Sequence, residues 1–325
     1  MRFGFCSSYP ERPDLSSRGE DLRAETGQRY PSLRLGSLRN SVSLTLHPRL
    51  RVAAIGFLNP APLMWDFEHP PLQAALEGRY QIERMTPSEC ADRLATGGAE
   101  VGLIPIAALA TTPGLGILPG CTIASKGRVR SLLLVRRAKR PLGALSAVAA
   151  DTASRTTLAY ARILFHKWGN GGVPFLPMRA NLDVMLEQAE AAILIGDPAL
   201  LALEERANRF ERTGEELVYH DLAEEWRTLT GLPFVSAVWG LAPGVGMTEQ
   251  ITVDFIGSRE NGLRNIEALA AEWSTRIPIP EETIRAYLTT NIHYVLDDEC
   301  IEGMRVFFRM AAECGVLPEY RVRIG

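Results

Sequence analysis

The run Val52-Ala53-Ala54-Ile55-Gly56-Phe57-Leu58-Asn59-Pro60 decides how the chain reads. Its apolar stretch is short and ends in a Gly and then an Asn-Pro pair, the pattern of a buried strand that stops at a turn. Helical spacing follows at 71–78. Working outward, the alternation persists, with strands expected at 81–84, 101–105, 131–135, 147–149 and 191–195, each bounded by Gly, Pro or a charge. Helices are expected between them at 88–97, 155–168 and 182–189. This alternation predicts an α/β protein with a parallel, helix-covered sheet. Asn59 then lies at the carboxyl end of the first strand, where open parallel sheets place their ligands.

Two segments, 131–137 and 234–241, read as crossings between two lobes. The expected division is a discontinuous lobe I, residues 50–135 plus 240–325, and a lobe II, residues 136–239. After Gly246 the chain is mainly helical, with amphipathic spacing in Ile266-Leu269-Ala270-Trp273 and in Ile301-Met304-Phe307-Phe308-Ala311. Residues 1–49 differ: they are rich in Ser and Arg, punctuated by Pro and without sustained periodicity, so a disordered N-terminal extension is expected there.

The totals exclude several classes. The 325 residues, 46% hydrophobic, suffice for two ordinary lobes. A net charge of -3 and a pI near 6.0 supply no basic field for nucleic acid or an anionic membrane, so the expected partner is a small molecule held by local donors. Five scattered cysteines (Cys6, Cys90, Cys121, Cys300, Cys314) with no Cys-x-x-Cys spacing suggest neither disulfides nor structural zinc, and a reduced compartment. Without an apolar span or secretory core the expected location is the cytoplasm. The five histidines show no ligand pairing, so no metal is expected. No phosphate loop and no cofactor motif is present. The sequence is silent on oligomeric state.

Several strings occur in an order that carries more information than any one of them. They are Ile55-Gly56-Phe57-Leu58-Asn59-Pro60-Ala61-Pro62-Leu63, Glu100-Val101-Gly102-Leu103-Ile104-Pro105, the stretch 123–131, Asp151-Thr152-Ala153-Ser154-Arg155-Thr156-Thr157, and Ile195-Gly196-Asp197-Pro198-Ala199-Leu200. Asp221-Leu222 with Trp226, Thr230-Gly231-Leu232-Pro233-Phe234-Val235, and the ending from Tyr287 to Phe307 complete the set. Over residues 51–320 the chain resembles the chorismate dehydratases of the futalosine route to menaquinone. The resemblance implies a two-lobed, periplasmic-binding-protein-like (type II) fold with a ligand cleft between the lobes. It also implies a cofactor-free hydro-lyase that eliminates water from chorismate to give 3-[(1-carboxyvinyl)oxy]benzoate. Arg128 stands where that family usually has Pro, Thr157 where Ser is common, and Ser236 in place of an aromatic residue. A non-catalytic carboxylate-binding protein or sensor shares the fold, and the naphthoate-forming enzyme of the same pathway has similar lobes.

Each candidate site residue carries a bland reading beside a functional one. Ser154, Arg155, Thr156 and Thr157 open a helix after Asp151; they are either ordinary caps, worth about 1 kcal/mol each, or donors for a substrate carboxylate. The resemblance favours the second for Ser154 and Thr156, and Arg155 stays open. Asn59 is a turn initiator or, as the resemblance implies, a substrate ligand. Ser125 and Ser131 flank a Gly-containing turn, and the family pattern favours Ser131 for contact with substrate. Gly196-Asp197 sits at a strand end, where Asp197 either faces the cleft or caps the next helix. Thr230-Gly231 either lines the cleft or forms a plain turn. The resemblance suggests catalysis by posing the guest, with a substrate carboxylate itself taking the ring proton.

Overall fold

The computed structural model describes residues 49–246 and 249–324; the expected disordered extension lies, up to residue 48, outside the described residues. Ten strands follow in chain order: β1 (Leu50–Ile55), β2 (Tyr80–Met85), β3 (Val101–Pro105), β4 (Gly116–Ser125), β5 (Leu132–Arg137), β6 (Val148–Asp151), β7 (Phe175–Met178), β8 (Ala191–Ile195), β9 (Leu217–Asp221) and β10 (Phe234–Leu241). They form two five-stranded sheets, ordered β2-β1-β3-β10-β4 and β7-β6-β8-β5-β9.

The sheets are mixed rather than wholly parallel. β1 runs parallel to β2 and β3, and β6 runs parallel to β7 and β8, whereas β10 is antiparallel to both its neighbours and so is β5. The reason is the path of the chain. A strand that enters a sheet from the other lobe arrives at the inter-lobe end, so it must run away from that end while its neighbours run towards it. β5 therefore pairs only within the second sheet and β10 only within the first. The chain passes from the first sheet to the second between Ser125 and Leu132 and returns between Asp221 and Phe234.

β5 shows how the second sheet is buried. Leu132 and Leu134 face one apolar cluster, and Leu133 and Val135 face another with Met185, Leu186, Ala192 and Leu194, the period-two alternation of a strand covered on both sides. The first cluster is continuous with the core of the other lobe. At that junction Tyr160, on the helix Arg155–Lys167, stacks on Phe234 at 3.8 Å and meets Phe307 at 4.2 Å, while its hydroxyl accepts the Val235 N–H at 3.3 Å. The expected amphipathic helices form, Ile266–Ser274 burying Leu269, Ala270 and Trp273, and Asp298–Glu313 burying Met304, Phe307, Phe308 and Ala311.

The segment after Asn59 is pinned by the helix Glu249–Arg264. Ser258 Oγ donates to the Leu63 carbonyl at 2.9 Å and accepts the Asp66 N–H at 3.0 Å, and Asn261 Nδ2 donates to the Asp66 carboxylate at 2.9 Å. Gly262 permits this approach, because a Cβ there would stand 2.0 Å from the Pro62 carbonyl oxygen. A rigid backbone atom cannot yield to the intruder, so the helix must move. Gly262→Ala is expected to destabilise the protein by about 3 kcal/mol, the upper end of overpacking costs, and to displace the Asn59 turn; urea unfolding at the wild-type midpoint would show no change if this packing were dispensable.

Candidate active site between the strand ends

β1 and β3 are neighbours in the first sheet, β6 and β8 in the second, and the carboxyl ends of these two pairs meet. The Leu58 N–H, just past β1, donates to Asp197 Oδ1 at 3.0 Å, just past β8. The Ala107 N–H, just past β3, donates to Thr156 Oγ1 at 3.0 Å, just past β6. A third contact comes from the helix Pro87–Ala95, where Ser88 gives its N–H to the Ala153 carbonyl at 3.0 Å and its hydroxyl reaches the Thr152 carbonyl at 3.0 Å. Gly196 is required here twice over. Its φ of 69° and ψ of -141° lie where side chains are not tolerated, and a Cβ would stand 2.6 Å from the Phe57 ring.

Asn59 sits half-buried on this seam, and its Oδ1 is buried with no hydrogen-bond partner among the described residues. Buried polar atoms in native proteins are nearly always bonded, so such an orphan marks a place where a partner belongs. Ser154 is the N-cap of the helix Arg155–Lys167: its Oγ accepts the Thr157 N–H at 3.4 Å and the Thr157 hydroxyl at 3.2 Å. The N–H groups of Arg155 and Thr156 have no intrahelical acceptor by geometry. Arg155 itself turns away to Asp92, at 2.6 Å and on the surface. Ser131 is buried; its Oγ accepts the Tyr287 hydroxyl at 2.8 Å and its carbonyl accepts the Gly196 N–H at 2.8 Å.

Three expected residues are held in local turns instead. Ser125 Oγ donates to the Gly127 carbonyl at 2.9 Å. Thr230 Oγ1 donates to the Trp226 carbonyl at 2.9 Å and accepts the Leu232 N–H at 3.1 Å. Gly231, with φ 75°, is the left-handed cap of the helix Leu222–Thr230. Asp197 does not cap: it is itself the first residue of its helix and spends its carboxylate on Leu58. The sequence reading missed Tyr287 and the donor roles of the Leu58 and Ala107 backbone. Tyr287 stands 156 positions from Ser131, and the signal available was its place at the start of the last of the family strings.

Burial governs the titration of the site. Asp197, with its carboxylate turned into the seam, is pushed up to about 6 by loss of water, against the lowering effect of the Leu58 N–H. Burial also raises Asp151, against the Ala153 N–H that it accepts. The Tyr287 and Tyr294 phenols are raised well above the ordinary value by complete burial, so both serve only as neutral hydroxyls. Away from the seam, His293, Asp297 and Cys300 bring three potential metal-ligand atoms within 4.8 Å of one another. Lys126 Nζ already holds Asp297 at 2.7 Å, and burial pushes the Cys300 thiol up to about 12. An ammonium and a protonated thiol make this group a poor cation site.

A family model described as menaquinone biosynthesis matches residues 50–313. A chorismate dehydratase of Thermus thermophilus is 28% identical over 242 residues, covering 71% of this chain and 86% of that protein. Among solved structures, a protein of Archaeoglobus fulgidus superposes with a TM-score of 0.62 at 14% identity, over 83% of this chain and 98% of that one. The alkanesulfonate-binding protein of Xanthomonas axonopodis pv. citri, bound to MOPS, gives 0.57 at 14% identity over 83% and 94%. A Candida albicans protein with the generic periplasmic binding protein fold gives 0.56 at 12% identity over 85% and 92%. At these identities the structures speak for the fold, and the two sheets with facing strand ends agree with the binding-protein architecture. Together with the match across residues 50–313, this places the chain in the menaquinone biosynthesis family.

Proposed function

We propose that the protein is a chorismate dehydratase, a hydro-lyase that acts in the cytoplasm. It converts chorismate to 3-[(1-carboxyvinyl)oxy]benzoate and water. The observation that carries the reading is the buried, unpartnered Asn59 Oδ1 on a seam whose other side is a helix start with free N–H groups. Neutral donors on one wall and an amide on the other suit a guest with two carboxylates and a ring hydroxyl. The likeness to the Thermus protein supports the same substrate.

The elimination removes the ring hydrogen beside the ether oxygen and expels the neighbouring hydroxyl. The electron pair of the broken C–H bond becomes the last π bond of the aromatic ring, and the released proton and hydroxide leave as water. Aromatisation supplies the driving force, so the protein's task is geometry. Orientation contributes effective molarities of about 10⁵–10⁸ M, against about 10²–10⁴-fold for a dedicated base. In this reading the helix start at Ser154 and Thr156 fixes one substrate carboxylate, Asn59 bonds the ring hydroxyl, and the other carboxylate takes the proton. Ser131, backed by Tyr287, completes the wall. A dianion beside Asp197 drives its carboxyl further towards the protonated form, which can then donate to the departing hydroxyl.

Purified protein given chorismate should yield the benzoate product, followed by ultraviolet absorbance and mass spectrometry; tight binding of chorismate without turnover would instead support a sensor. Asn59→Ala is expected to lower kcat/KM by tenfold or more, about 1.4 kcal/mol of transition-state binding, and unchanged kinetics would remove the residue from the mechanism. Asp197→Asn tests the seam through stability. Its carboxyl is raised in the folded protein from 3.8 to about 6, so between these values the folded state holds more protons than the unfolded state, and stability falls as pH rises through the window. The penalty, on the order of 3 kcal/mol, is complete above pH 6 and absent below pH 4. The variant should therefore match wild type near pH 4 and exceed it near pH 7; a stability gap independent of pH would contradict the assignment.

A further inference from the structure

A concavity of about 630 Å³ opens on the flank of the first crossing. Its walls come from three parts of the chain: Arg128 and Arg130 in the crossing, Leu203, Glu204 and Arg206 with Tyr219 in the second lobe, and Ala286, Thr290 and Asn291 near the end of the helical segment that carries Tyr287. The volume is that of a small-ligand site.

Arg130 is the only non-glycine residue with positive φ (64°) among the described residues. Asp221 imposes this conformation by accepting the Val129 N–H at 3.0 Å and the Arg130 N–H at 2.7 Å. The turn sends the guanidinium to Glu204, Nη2 to Oε1 2.5 Å, and leaves Nε buried with no partner among the described residues. A left-handed non-glycine residue and an orphaned guanidinium donor each cost about 1–3 kcal/mol. Two such costs at one residue point to a role the fold alone does not explain. Arg206 is exposed and makes no ion pair among the described residues. Arg128 pairs with Glu224 at 3.0 Å on the surface, a contact of little strength.

Three guanidiniums line the concavity with two carboxylates, Glu204 and Asp221, and Glu224 pairs with Arg128 from outside it, so three cations meet three anions and Arg206 is the guanidinium without an ion pair among the described residues. One such guanidinium suits a singly charged anion better than a phosphate dianion. Leu133, Leu203 and Tyr219 supply an apolar surface beside it. We propose that this concavity binds a small monocarboxylate carried on a ring or similar apolar body, its carboxylate on Arg206 with the Arg130 guanidinium alongside, its body on Leu203 and Tyr219. Arg130 adjoins Ser131 and Ala286 adjoins Tyr287 along the chain, so the concavity neighbours the residues that form the Ser131–Tyr287 hydrogen bond. The site stands whether or not the chain acts on chorismate.

The test is a fluorine NMR titration of the full chain with 4-fluorobenzoate. Saturable binding is expected, weakened tenfold or more in Arg206→Glu, partly restored in Arg206→Lys, and kept within twofold in Asn59→Ala. Arg206 is exposed and unpaired, so its variants keep the fold. No saturable binding in the millimolar range, equal affinity in Arg206→Glu, or loss of binding in Asn59→Ala, which would place the probe in the seam, would each overturn the proposal.

Discussion

The arrangement depends on two backbone N–H groups that leave one lobe and end on side chains of the other, Leu58 on Asp197 and Ala107 on Thr156. Each donor sits just past the end of a strand, so its position is set by the sheet and not by a flexible loop. Each acceptor is likewise anchored, one at the start of a helix and one in its first turn. When the lobes are together these groups are withdrawn from water, and a donor left unmatched there costs about 1–3 kcal/mol. The joining of the lobes is thus specified by register: a shift of either strand end breaks a bond that water can no longer replace.

That constraint explains what surrounds it. Gly262 and Ser258 hold the turn after Asn59 against the helix Glu249–Arg264, which keeps the first pair of strand ends from drifting. Gly196 lets the Phe57 ring lie on the backbone of the second lobe. Tyr160, wedged between Phe234 and Phe307, fastens the lobes through a shared apolar cluster. The result is a wall built from neutral donors and one carboxyl raised by burial. Such a wall can pose a dianion without neutralising it, which suits a reaction whose base is a substrate carboxylate. It is also the reason that no acid–base motif stood out among the residues.

The parts of the fold that were legible were those whose local pattern and tertiary role agree. β3 and β8 are fully buried apolar runs and were read at their true bounds. β4 was missed because Gly116, Pro119 and Gly120 interrupt it, and its two register shifts against β10 show why such residues are accepted there. β7 contains Pro177 and forms a sheet edge, where a missing N–H is tolerated. β9 is another edge, half-buried over most of its length, and lacked an apolar signal. At the site, strand ends and the helix start were visible in the spacing, and the family strings pointed to Asn59 and Ser154. The partners were not visible: Asp197 meets Leu58 across 139 positions and Tyr287 meets Ser131 across 156, contacts that only the meeting of two lobes creates. Ser125 and Thr230, for which the sequence also allowed a plain turn, hydrogen-bond to neighbours two to four residues away.

The most direct test of the account is a crystal structure of the protein with 3-[(1-carboxyvinyl)oxy]benzoate bound. The account predicts the product on the seam, one carboxylate at the N–H groups following Ser154 and an oxygen within hydrogen-bond distance of the Asn59 side chain. Product bound elsewhere, with Asn59 and Ser154 on opposite sides of a seam it does not enter, would contradict it.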